Sequence, residues 1–133
     1  MAIRILAAVA ALVSAAVHLG MWFNGVRDEP SIGPLFLLNA VAGVVIAVLL
    51  VAWRHWIPFF LVLGFGACTL GAFTISATVG LFGLHEHWVG NLVWTAAISE
   101  AVAIVTGLAG LWREAARMRG PVRERVTGST VER

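Results

Sequence analysis

Four stretches of this chain are long enough and apolar enough to cross a bilayer, and that constrains the fold more than any motif does. Residues 5–26 give 22 uncharged positions between Arg4 and Arg27, residues 30–53 give 24 between Glu29 and Arg54, and residues 55–85 give 31 between Arg54 and Glu86, counting histidine as neutral. A fourth run, residues 89–112, is broken only by Glu100. A helical span needs about 20 residues to cross a hydrocarbon core about 30 Å thick. Within lipid each backbone N–H and C=O must find its partner inside the protein, which leaves helices or closed barrels. A barrel needs alternating segments of about 10 residues, and these runs are continuously apolar instead. The expected fold is all-α: a transmembrane four-helix bundle over residues 1–112, with spans near 3–23, 33–53, 57–84 and 89–112. The third run is too long for one upright crossing and too short for two, so a tilted helix or one with an unwound end is expected. Residues 113–133 read as a basic tail, helical at first and disordered after Gly120-Pro121.

Composition agrees and removes several function classes. The chain is 60% hydrophobic and 12% charged, against about 25% charged in soluble domains. One cysteine, Cys68, excludes an intrachain disulfide and any zinc site that needs two or more thiolates. The nine arginines sit at span ends, so the basic balance points to membrane surfaces and not to nucleic acid. GxSxG, Walker A, HExxH and CxxC are all missing, so a non-enzymatic role is the expectation.

Arginine also sets an expected orientation. Four spans place both termini and the Arg54 loop on one side, which then holds eight arginines against Arg27 alone on the other. The positive-inside rule makes that side cytoplasmic, in a multi-pass protein of the plasma membrane. Anionic lipid head groups are the expected partners of the tail, where six arginines face three glutamates. Trp22, Trp53, Trp56, Trp88 and Trp112 fall near span ends as an interfacial belt, with Trp94 inside a span. Met1 to Ala16 also carries signal-peptide features, but the apolar run continues through Gly20-Met21-Trp22-Phe23, which suits a complete span. Small residues at helical spacing (Ala7, Ala11, Ala15; Ala72, Ser76, Gly80; Ala96, Ala103, Gly107, Gly110) are what close helix packing in lipid requires. They serve this bundle, a second copy or another membrane protein equally well.

Glu100 is the polar group that most needs an explanation. A charged side chain at mid-bilayer costs about 2.5–3.5 kcal/mol on insertion scales, so it must face protein or water. Counting inward at about 1.5 Å per residue puts His18 and Asn39 at about 21 Å depth, and Thr69 and Glu100 at about 18 Å. All four spans therefore offer a polar group in one slab, with His18 and Asn39 as expected partners of Glu100. Three readings follow: a structural cluster that fixes helix register, a ligand-binding or proton-linked site, and a haem or metal site on His18. A divalent ion at the outer mouth is a further candidate, held by His85, Glu86 and His87 with Asp28 or Glu29.

His18-Leu19-Gly20-Met21-Trp22, the segment 32–40 (IGPLFLLNA), the segment 79–83 (VGLFG) and Ser99-Glu100 resemble small four-span membrane proteins of high-GC bacteria, over most of residues 3–112. In size and span count the chain is similar to DoxX-like four-helix membrane proteins. The resemblance implies the architecture and carries no activity.

Overall fold

The structure, a computed structural model, describes residues 1–80 and 89–120. Four helices hold nearly all of these residues: α1 Ala2–Phe23, α2 Ile32–Ala52, α3 Ile57–Thr78 and α4 Asn91–Arg119, with a 3-10 turn at Val26–Asp28. Each is long and apolar enough to cross a membrane. At 21 or 22 residues, the first three span about 32 Å, the thickness of a hydrocarbon core. The 29-residue α4 is about 11 Å longer. Its excess lies beyond Trp112, where the sequence turns charged.

Proline and glycine mark the helix ends. Pro58 occupies the first turn of α3, where its missing N–H has no partner to lose. Pro34 does the same as the third residue of α2, which begins at Ile32. The long third run resolves as a helix that stops at Thr78, with Gly80 leaving it at positive φ. Because α4 begins at Asn91, Trp94 stands in the first turn of that span.

The helices form an up-and-down ring in chain order. α1 packs closely on α2 and on α4, α3 packs closely on α4, and the α2–α3 seam is the loosest side. The close half is the one carrying the N-terminus. There Ala7, Ala11, Leu50, Phe59, Val62 and Ala103 are buried together. Small residues make the approach possible. A Cβ on Gly110 would fall 2.2 Å from the Phe59 ring, and one on Gly66 would fall 2.7 Å from the Glu100 carbonyl oxygen. Gly110→Ala is therefore expected to destabilise the bundle by about 1–3 kcal/mol through overpacking, read from denaturation in mixed micelles. An unchanged midpoint would show that the Phe59 ring can move aside.

In the other half the bundle opens. The stripe Ala72, Ser76, Gly80 does not knit α3 to a neighbour along its length: Ala72 is exposed and only Ser76 is buried. Among the described residues no backbone approach like that at Gly66 and Gly110 closes α3 there. The consequence is a cavity.

Arg4 fastens the close end. Its guanidinium is buried although it begins a span. It donates to the carbonyls of Trp53 at 3.1 Å and His55 at 2.8 Å, pairs with Glu114 at 3.4 Å, and lies 4.4 Å from the Phe59 ring centre. Helix C-termini leave carbonyls without intrahelical partners, and a cation there satisfies both the hydrogen bonds and the local dipole.

Candidate functional site

Ser14 and His18 are four residues apart, so α1 presents both on one face. His18 Nδ1 lies 2.8 Å from the Ser14 carbonyl oxygen. A carbonyl only accepts, so Nδ1 carries a hydrogen. The other ring nitrogen, Nε2, then faces Glu100 Oε1 on α4 across 3.8 Å. The Ser14 hydroxyl donates to the same carboxylate oxygen at 3.4 Å. Ser14, His18 and Glu100 are all buried, and Glu100 is only 2% exposed. From α2 the Phe36 ring packs on the imidazole, centre to centre 5.0 Å.

This arrangement is neutral overall when it holds one exchangeable proton. With Nδ1–H committed to Ser14, the pair is neutral when one further proton sits either on Nε2 beside a carboxylate or on Glu100 beside a neutral ring. Both forms avoid an isolated charge at depth. The 3.8 Å separation exceeds hydrogen-bond length, so the two atoms face each other without closing on each other.

The second polar pair comes from α2 and α3. Thr69 Oγ1 lies 3.0 Å from Asn39 Oδ1 and 2.8 Å from the Phe65 carbonyl, sharing its one hydrogen between them. Asn39 Nδ2 is buried without a hydrogen-bond partner among the described residues. Asn39 therefore does not serve Glu100, as depth alone suggested; it turns to Thr69 across the α2–α3 seam. The partner that replaces it is Ser14.

His18, Asn39, Thr69 and Glu100 nonetheless line one cavity of about 450 Å³. Ile46 and Phe65, members of the packed core, close it toward the Arg4 end. The remaining walls are almost wholly apolar and come mainly from α2 and α3. Leu38, Leu61 and Cys68 belong both to its lining and to the exposed surface, so the cavity opens sideways between those two helices. Its size falls in the range of small-molecule sites, about 300–1,000 Å³.

Several other polar residues are accounted for locally. Thr95, Ser99 and Thr106 each bond a carbonyl one turn back on α4, which is how hydroxyls satisfy themselves within a helix. His55 is exposed and stacks on Trp53. Arg27 and Asp28 form an exposed pair at 3.7 Å, worth little in water. His85, Glu86 and His87 lie outside the described residues, as does the tail beyond Gly120. Among the described residues no three metal-binding side chains gather.

The fold and cavity thus define a small helical-bundle protein of membrane-spanning type with an internal polar site. No family model, curated protein or solved structure matches the chain.

Proposed function

We propose that this is a non-enzymatic, ligand-binding or accessory protein of the plasma membrane, with both termini cytoplasmic. The observation that carries the reading is the cavity: about 450 Å³, apolar in its walls, with two polar pairs set into it. A register-fixing cluster needs no free volume beside it. Apolar walls with a few placed polar groups are the usual make-up of a small-molecule site. The orientation rests on the arginines: Arg4, Arg54, Arg113, Arg117 and Arg119 gather at one end of the bundle, where Arg4 meets both His55 and Glu114. That end suits anionic head groups, the exposed extension of α4 suits a cytoplasmic partner, and the small-residue stripes suit a membrane-protein partner or a second copy.

Gly64 supplies the test. It lines the cavity, and a Cβ there would meet nothing within 4 Å, so Gly64→Phe should fill the space without disturbing the fold. Native mass spectrometry of the protein extracted gently from its own membrane should show a bound lipophilic molecule at one per chain. The Gly64→Phe protein should fold and lack it. An adduct that survives the substitution, or none in either protein, removes the proposal. For orientation, a fluorescent protein fused after Gly120 should fluoresce in cells and alkaline phosphatase there should be inactive; the reverse pattern overturns the topology.

A second reading draws on the His18–Glu100 pair itself, two titratable groups facing each other across 3.8 Å at depth between two helices: proton-coupled transport, or a redox role with haem or a metal on His18. A Soret band in protein purified without added cofactor would establish the haem form, and its absence from intact, folded protein would end it.

A further inference from the structure

We infer, on the reading that the cavity binds a ligand, that the ligand is a membrane-dissolved alcohol whose hydroxyl bridges His18 and Glu100 and whose chain lies along the α2–α3 seam. His18 Nε2 and Glu100 Oε1 stand 3.8 Å apart. An oxygen about 2.8 Å from each atom closes a triangle on that base, at ordinary hydrogen-bond length to both. In its neutral form the pair has one donor and one acceptor, so a bridging atom accepts from one side and donates to the other. A hydroxyl does both through a single oxygen. A ketone or ether oxygen only accepts and leaves one buried polar atom unmet, at the full desolvation penalty. An ammonium or a carboxylate head would add a net charge to a site that is otherwise neutral and mostly apolar.

Access from the lipid follows from the walls. The cavity is closed toward the Arg4 end by Ile46 and Phe65, and α1 packs closely on α2 and α4. The loose seam is between α2 and α3, where Leu38 and Leu61 are both lining and exposed. A molecule arriving there comes from hydrocarbon, and the chain that carries the hydroxyl can remain in the seam. Water is the competing bridge, and it does not fill the apolar volume around the pair.

The test uses protein in phosphatidylcholine vesicles and an undecanol bearing a diazirine midway along its chain. Light should attach the probe to peptides of α2 and α3 that line the cavity. Undecanol should compete about tenfold better than undecane or 1-methoxyundecane at equal mole fraction in the bilayer. Glu100→Leu should bring that ratio to about one, whereas Glu100→Gln, whose amide still donates and accepts, should keep most of it. Gel filtration identifies any variant that misfolds, and His18→Leu then provides the same comparison from the other side of the bridge. If all three competitors act equally at cavity peptides, the hydroxyl inference is wrong and the cavity still binds lipophiles. If no cavity peptide is labelled, the ligand-binding reading fails with it.

Discussion

Replacing Arg4 with Met should lower the bundle's stability by about 2–4 kcal/mol, among the largest effects of any single substitution in this chain. The guanidinium serves four elements at once: it begins α1, bonds the carbonyls of Trp53 and His55 at the end of α2 and in the following loop, packs over Phe59 on α3, and pairs with Glu114 on α4. Hydrogen bonds to a charged group are worth about 1.5–3 kcal/mol each, and a partly desolvated cation–π contact about 1–2 kcal/mol. Hydration of the freed carbonyls offsets part of the sum, since Glu114 remains partly open to solvent. Methionine keeps the length and packing of the stem, so the loss reports the head group. Arg4→Lys should recover less than half, because one ammonium cannot match a planar fork spread over several acceptors. Unfolding at increasing SDS mole fraction in mixed micelles gives the measurement. A change within about 0.5 kcal/mol for Arg4→Met would mean that the guanidinium is no better bonded in the bundle than in water.

The sequence marks the helices well because the bilayer leaves so few alternatives. Uncharged runs, Pro58 and the charge change at Arg113 point to four apolar spans, and four helices long and apolar enough to cross a membrane are found, although α3 ends at Thr78 and α4 runs on to Arg119. The site was partly legible for a related reason. Depth along a helix is arithmetic, so residues on different spans can be matched in height from the chain alone. Which way a side chain turns around its helix axis is not arithmetic, and there the reading erred. Asn39 stands at a suitable height but turns toward Thr69, while Ser14 joins Glu100 from one turn before His18. Serine at that position reads as one more small residue in an alanine-rich span. Its spacing of four from His18 was the available signal.

Arg4 illustrates the opposite limit. Counted as one of eight positive charges on a side, it reads as a topology marker exposed to head groups. In the fold it is 7% exposed and turned into the end of the bundle. The partners it meets there are mostly backbone carbonyls, which every residue carries and no sequence pattern distinguishes. The cavity was equally invisible. It exists because Gly66 and Gly110 draw α3 onto α4 in one half and, among the described residues, nothing comparable draws α3 onto α2 in the other. A volume left between helices is a property of how stripes fail to meet, and each stripe taken singly gives no sign of it.

The second large effect separates His18 from Glu100 by sign. His18→Leu should destabilise the protein by about 2–3 kcal/mol, because it leaves a buried carboxyl facing a hydrocarbon wall. The Ser14 hydroxyl at 3.4 Å is then the carboxyl's one remaining side-chain partner among the described residues. Glu100→Leu should be nearly neutral or stabilising. It deletes the costliest group in the span, and the imidazole it abandons stays bonded to the Ser14 carbonyl at 2.8 Å. The double substitution should then recover most of the loss seen in His18→Leu, giving a coupling of about 1.5–3 kcal/mol for two residues in contact. Structural register predicts this pattern with no change in ligand binding. A binding site predicts the same stability pattern together with weaker retention of the bound lipophile in all three variants. The stability cycle therefore tests whether the two groups are partners, and the bound mass tests what the partnership is for. Additive losses, with the double variant as unstable as the sum of the singles, would show that His18 and Glu100 do not interact, and the site would have to be rebuilt without its central pair.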